Sequence, residues 1–374
     1  MPVYWSMFIF AVVLILFSRY ATKGVIQPNG DIQYSTSRIL VVLTAGYIAV
    51  FASLRDAVLD TYAYIDTFEN MSTEPEMMIR QAVSSSGRGF NLILGLFKIY
   101  ISENHYLWLG FVACVSLYCL FRFYRKYSCD YAFTFFLFIA STNFTWLLNG
   151  ARQFLAVCVL IGFVDWWVSG DRKHKLFYAL LALGMTAIHS SVWFVLPMVY
   201  MSARGKLLDK WMFIVLVGTV FVTMNTGNVV EFASDVMNKD YTVSMSESRG
   251  ASYQRFLISL VPLCMVLPKL KKVREAATPI INFSINMSFI GACFFFVAMF
   301  SSGILAGRMP IYFTLYNYIL IPWLLKKFYP NPILSFACVL FYSIFFYYQM
   351  CVAWHNLTYV SDILGIKCLN ALGF

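Results

Sequence analysis

Charge is what this chain has least of. Asp, Glu, Lys and Arg make up 12% of its 374 residues, while 60% are hydrophobic. A soluble domain carries about 25% charged residues, so a soluble fold is excluded. Alternating strands of about ten residues, the mark of a membrane β-barrel, are also missing. In their place are unbroken apolar runs such as Tyr4 to Phe17, Phe133 to Leu148 and Phe283 to Phe300. With their flanks these runs reach the length that crosses a bilayer as helix.

Other absences narrow the class further. No Lys or Arg precedes Arg19, so the first run lacks the basic region of a signal peptide and is expected to be a membrane span. Nine cysteines are present without a CxxC pair or a Cys/His cluster. Most lie inside apolar runs, so neither a disulfide framework nor a metal site is expected. No P-loop, dinucleotide fingerprint, HExxH or GxSxG occurs, and no cofactor is expected. Internal repeats and low-complexity tracts are missing too, so the whole chain, 1–374, is expected to be one integral membrane domain.

The expected fold class is an all-α polytopic membrane protein with about 12 transmembrane helices. Spans are expected at 3–18, 38–54, 105–121, 130–148, 152–168, 175–188, 190–203, 211–225, 254–268, 281–300, 309–325 and 333–352. The short apolar segment Gly89 to Ile101 reaches only about 20 Å as helix and is expected to be re-entrant or interfacial.

The net charge of +10 has a membrane explanation and does not call for nucleic acid. Basic residues divide between alternate loops, and one set holds 18 of the 28, against six acids. That set faces the cytoplasm by the positive-inside rule, which puts both termini outside. The larger outer loops are then 55–104 and 226–253. The outer basic residues are seven Arg to three Lys, the inner ones seven Arg to eleven Lys. Topology needs only positive charge, whereas an excess of Arg suits bidentate recognition of carboxylate or phosphate.

Several outer residues are candidates for chemistry. Arg152, in "NGARQ", sits with Gln153 in the first turn of a helix, where backbone N–H groups already favour an anion. The alternative is a snorkelling residue at the interface. Arg308, in "GRMPIYFTLYNY", has the same placement, and Tyr312 and Tyr316 follow on its helix face as sugar contacts or as an aromatic belt. Asp56, Asp60 and Tyr64 share a face if helical. Asp60 either takes a proton from a hydroxyl, holds a sugar, or pairs with Arg55. Tyr64 beside carboxylates suits a sugar. His189, in "AIHSSVW", is either a satisfied core residue or the best general-base candidate. His105, His174 and His355 are assigned no chemistry. Chemistry on an outer face has no nucleotide supply, so its substrate must arrive activated. A lipid-linked diphosphate is such a substrate.

The order "SLR…DT..Y...F", "GRGFNLILGLFKIY", "GARQFLAVCVLIGF", "AIHSSVWFVLPM" and "GRMPIYFTLYNYIL" resembles the EpsG-like branch of the Wzy polysaccharide polymerases, from about residue 50 to 325. The resemblance implies a bacterial inner-membrane enzyme of GT-C-like architecture that works at the periplasmic face. It implies undecaprenyl-diphosphate-linked oligosaccharides as donor and acceptor, with a flippase and a chain-length regulator as partners. Carried onto this chain, it assigns Arg55, Asp60 and Tyr64 to the early loop motif and Arg88 to the "GF" motif. Arg152 and Gln153 fall in the "RQ" motif, His189 in the "H-S" motif and Arg308 in the late "R" motif. In this reading Arg55, Arg88, Arg152 and Arg308 bind diphosphate, His189 or Asp60 is the base, and Tyr64, Gln153 and Tyr312 support the sugars. "RDAVLD" departs from the family by lacking a glycine between the early Arg and Asp. A flippase or exporter of the same lipid would use the arginines equally well. It should also carry mid-membrane charges and repeat symmetry, and here only Asp165 comes near. A ligase-type transferase would share the chemistry and change the acceptor.

Overall fold

A computed structural model describes residues 1–17, 22–26, 32–85, 87–204, 206–225, 227–228, 231, 253–300, 307–354 and 357–367. Most of the outer loop 226–253, with Arg249, lies outside the described residues, as do Arg19 and His355. The chain forms two compact units. One comprises Met1–Val164, Arg172–Val192 and Asn331–Phe374, the other Asp165–Asp171 and Trp193–Pro330.

The first unit begins with α1 (Pro2–Leu16), a ribbon of β1 (Thr22–Ile26) and β2 (Ile32–Thr36), and α2 (Arg38–Ser53). The outer segment then forms α3 (Thr61–Glu69), α4 (Pro75–Ser84) and α5 (Arg88–Tyr100). Next come α6 (His105–Tyr127), α7 (Tyr131–Ala140), α8 (Thr145–Asn149), α9 (Ala151–Gly162) and α10 (Val164–Val168), the last crossing into the second unit, followed by α11 (Arg172–Ile188). From α12 (Val192–Arg204) the chain passes into the second unit: α13 (Lys210–Met224), α14 (Tyr253–Val266), α15 (Leu270–Ala276), α16 (Pro279–Met299), α17 (Ile311–Thr314) and α18 (Asn317–Phe328). Helix α19 (Pro332–Tyr347) belongs to the first unit again and runs on as a π-helical turn to Ala353.

A helix lies at each of the twelve expected positions. Among the described residues three are long and apolar enough to cross a membrane: His105–Tyr127, Pro279–Met299 and Pro332–Ala353. Three expected spans are interrupted, 152–168 at Phe163 between α9 and α10. In 130–148 the polar run Ser141-Thr142-Asn143 stops α7, with Thr142 at φ 62°. Ser141 Oγ and Thr145 Oγ1 donate to the carbonyls of Phe138 and Thr142, so hydroxyls supply donors where the ladder breaks. In 309–325 the interruption is at Leu315 and Tyr316, between α17 and α18. The paired strands were not foreseen. Their register is antiparallel, Thr22 opposite Thr36, and Arg125 Nε donates to the Thr36 carbonyl at 3.0 Å.

Helix α6 packs against α2 and α9. Gly162 lets α9 come close, since a Cβ there would lie 2.7 Å from the Cys119 carbonyl oxygen. The Arg122 guanidinium donates to the Gly162 carbonyl, satisfying one of the last acceptors of α9. Helix α5 is amphipathic. Phe90, Leu94 and Phe97 are buried on one face, and Leu92, Ile93 and Leu96 are exposed. Lys98 holds it to α3 by donating to the carbonyls of Phe68, Glu69 and Met71 at 2.7–2.9 Å.

Candidate functional site

The segment between α2 and α3 is not helical, so Asp56, Asp60 and Tyr64 do not share a helix face as the spacing allowed. Asp56 is committed inside the protein. Its carboxylate accepts from the Tyr106 hydroxyl at 2.5 Å and the Asp362 backbone N–H at 2.6 Å. The backbone on either side of it pairs with Val360, so the C-terminal segment straps this turn.

Arg55 is 1% exposed. It donates Nε to Thr61 Oγ1 at 3.0 Å and Nη1 to the Ala52 carbonyl, rather than pairing with Asp60. The Ala52 carbonyl belongs to the last turn of α2, the negative end of the helix, where a cation is favoured. Burial pulls the Arg55 pKa down to about 10, while the hydroxyls of Tyr64, Tyr359 and Tyr4 push the other way. The guanidinium is therefore charged at neutral pH and holds the ends of α2 and α3 together.

Asp60 opens α3 after Leu59, whose φ of 46° is left-handed. For a residue with a Cβ this costs about 1–2 kcal/mol. The Asp60 side chain does not cap the helix and is exposed. Its backbone N–H donates to Asn149 Oδ1 at 3.3 Å, and the Leu148 carbonyl lies 3.4 Å from Thr61 Oγ1. The early loop is thus fastened to the end of α8, one residue before Gly150 and the start of α9.

Two helices then begin alike. Helix α9 has Gly150 as N-cap and Arg152 as its second residue. Helix α5 has Gly87 as N-cap and Arg88 as its first. Neither start has a side-chain cap or an acid in its first turn. The starts are brought together, because a Cβ on Gly87 would collide with Arg152 Nη1 and lie 3.3 Å from its Cζ. Arg152 is half-buried and Arg88 exposed. A Cβ on Gly89 would lie 2.8 Å from the Ala187 carbonyl oxygen, so the same turn of α5 rests on the end of α11. His189 follows two residues later. Its Nδ1 lies 2.7 Å from Ser191 Oγ and accepts from the Ser191 backbone N–H at 3.3 Å. Tyr64 packs edge-on against Phe90 of α5 at 6.1 Å, and Gln153 is buried in α9.

The first unit therefore gathers Arg55, Asp60, Tyr64, Arg88, Arg152, Gln153 and His189 along one chain of contacts. Arg308 and Tyr312 belong to the second unit. Arg308 is half-buried in the turn before α17 and Tyr312 is buried within it. Tyr316 lies between α17 and α18 with its ring edge-on to Phe283 at 5.4 Å, so these residues do not follow one another on a single helix. Gly87, Gly89 and Asn149 were not singled out in the sequence. Glycines on both sides of an arginine, in "GRG", were the available signal.

Arginines in the first turns of two glycine-started helices suit an anionic group. A family model described as the EpsG family matches residues 38–361, and the chain belongs to that family. EpsG-like proteins are Wzy-type polymerases, which places the chain in polysaccharide biosynthesis. No curated protein matches it, and no solved structure does.

Proposed function

We propose that the protein is a glycosyltransferase that polymerises lipid-linked oligosaccharide repeats at the periplasmic face of the bacterial inner membrane, within a GT-C-like architecture of about twelve spans. The donor is a growing glycan on undecaprenyl diphosphate, and the acceptor is a sugar hydroxyl of an incoming lipid-linked repeat. The acceptor oxygen forms a bond to the anomeric carbon as the bond from that carbon to the diphosphate breaks. The electron pair leaves with undecaprenyl diphosphate, and the hydroxyl proton goes to a base. A flippase delivering repeats and a chain-length regulator are the partners this reaction calls for.

The observation that carries the reading is the pair of uncapped, glycine-started helices whose first turns hold Arg88 and Arg152. An arginine in a first turn opposes the helix dipole by about 0.3–1 kcal/mol. A bound diphosphate reverses that sign, since both the N–H groups and the guanidinium face it. Arg55 supports the site from behind through Thr61. Tyr64 packs against sugars, and Gln153 supports Arg152. Preorganised charge of this kind stabilises the developing negative charge on a leaving group.

The test uses purified protein in nanodiscs with lipid-linked repeats, EDTA and no nucleotide, and follows glycan length on a gel. Wild type should give a ladder, and Arg152→Lys should lose at least about 100-fold of the rate. Protein that binds the lipid yet never lengthens the glycan would instead be a flippase or exporter.

A further inference from the structure

A cleft of about 710 Å³ opens in the second unit, where α12 ends, α15 lies and α16 begins. Ser202, Lys206, Asp209 and Arg274 give it a polar lining, and the first turn of α16 borders it at Pro279 and Asn282. Three of these groups are donors with capacity left. Ser202 is 1% exposed, and its hydroxyl is buried without a hydrogen-bond partner among the described residues. A buried hydroxyl in that state destabilises a fold, and most such groups are paired. The Lys206 ammonium makes no hydrogen bond or ion pair among the described residues. Arg274 donates Nη2 to the Leu207 carbonyl at 3.1 Å, which sets its guanidinium beside the residue that follows Lys206. Asp209 does not neutralise these cations. Its Oδ2 accepts from the Lys206 backbone N–H at 3.2 Å and its Oδ1 from the Trp211 N–H at 3.0 Å, as the N-cap of α13. The turn between α12 and α13 is held from behind by Asn286 of α16, which is buried. Asn286 Oδ1 accepts from the Leu208 N–H at 3.0 Å, and Nδ2 donates to the carbonyls of Ser202 and Lys206 at 3.2 and 3.4 Å. Within that clamp Leu208 has a φ of 47°, a left-handed conformation uncommon for a residue with a Cβ. Strain of this kind gathers at ligand sites.

We propose that this cleft binds a phosphate group, with Lys206 and Arg274 as its counter-charges and the Ser202 hydroxyl as a neutral donor. A carboxylate has two oxygens in one plane, and a single guanidinium fork satisfies both. Phosphate oxygens form a tetrahedron and take an ammonium, a guanidinium and a hydroxyl from different directions. The distribution of basic residues assigns this side to the cytoplasm. Phosphate arrives there either on the headgroup of an anionic lipid or on a soluble phosphate ester. Lys269, Lys271 and Lys272 precede Arg274, and such a basic cluster draws anionic lipid towards the cleft. The site uses none of the residues assigned above to the polymerase reaction and does not rest on that reading.

The test measures binding by calorimetry to the full chain in an uncharged detergent. Its probes are glycerol 3-phosphate, dioctanoyl phosphatidic acid and, as a zwitterionic control, dioctanoyl phosphatidylcholine. Wild type should bind phosphatidic acid at least about tenfold more tightly than phosphatidylcholine, since the control's choline offsets its phosphate charge. If phosphatidic acid also exceeds glycerol 3-phosphate by about tenfold, the bilayer supplies the ligand. Equal affinity for the two identifies a soluble ester, and either result supports the site. Lys206→Gln and Ser202→Ala should each weaken binding of the phosphate probes by about tenfold. Lys272→Gln removes the same charge from the neighbouring segment without touching the cleft, and should stay within about twofold of wild type. Equal losses in Lys206→Gln and Lys272→Gln would mean a diffuse basic surface and overturn the site. Undiminished binding in Lys206→Gln or in Ser202→Ala would do the same, as would a wild type that binds neither phosphate probe. Ser202→Ala should also raise the melting temperature of the unliganded protein, because it removes a buried hydroxyl that has no partner. A lowered melting temperature would show that the hydroxyl is bonded within the fold and overturn its role as a ligand. Arg274 is left intact because it also holds the Leu207 carbonyl, and monodispersity on size exclusion shows that each variant folds.

Discussion

Two groups of helix starts in this molecule contrast. Helices α6, α7, α13, α16 and α19 begin at Asn104, Asp130, Asp209, Thr278 and Asn331, and each of these side chains accepts a backbone N–H of the first turn. Helices α5 and α9 begin at Gly87 and Gly150 with no such bond, and they place an arginine in the turn instead. A side-chain cap contributes about 1 kcal/mol, and an arginine at that end works against the dipole. The five capped starts are arranged for stability. The two glycine starts forgo it, and in the proposed function their N–H groups face the diphosphate.

Breaking the glycine side of this contrast should have the largest effect. Arg152→Ala removes the guanidinium that rests on Gly87, and the ladder rate should fall about 1,000-fold, with little change in melting temperature. A smaller loss, about tenfold to 100-fold, is expected for Gly87→Ala, since its methyl group takes the space of Arg152 Nη1 and a misplacement of 1 Å costs about 100-fold. Unchanged activity there would mean that the contact between α5 and α9 does not position Arg152. Asp56→Asn should cost about fivefold. It weakens the bonds to Tyr106 and Asp362, each worth about 1 kcal/mol, and so loosens the strap behind Arg55 without touching the site. The smallest effect belongs to the capped side. Asp130→Ala should lower stability by about 1 kcal/mol, read by thermal unfolding, and leave the rate per folded molecule as it was.

The parts of this arrangement that follow local rules were legible in the sequence. Apolar length placed helices, and Arg152 after "NG" read as a first-turn arginine because glycine and helix start lie within three residues. Long-range contacts were not legible. Arg55 looked like one more outer arginine for the diphosphate, and only folding shows it enclosed between Ala52 and Thr61. Asp56 and Asp60 looked equivalent by spacing. The pairing of the turn with Val360, some 300 residues on, commits one and leaves the other exposed. The break at Ser141–Asn143 was hidden by apolar neighbours that kept the average high, although three consecutive polar residues marked it. The ribbon of β1 and β2 had a signal in Pro28-Asn29-Gly30 between two short runs. Gly87 escaped because a glycine's value lies in what approaches it, and the approaching residue is 65 positions away.

The most direct measurement is the affinity of undecaprenyl diphosphate, without sugar, for wild type, Arg152→Lys and Asp130→Ala in nanodiscs. If glycine-started helices hold the diphosphate through a guanidinium fork, wild type and Asp130→Ala bind alike, and Arg152→Lys binds at least about tenfold more weakly. Equal affinity for all three would contradict the account, because the lipid would then be held by its polyprenyl chain alone.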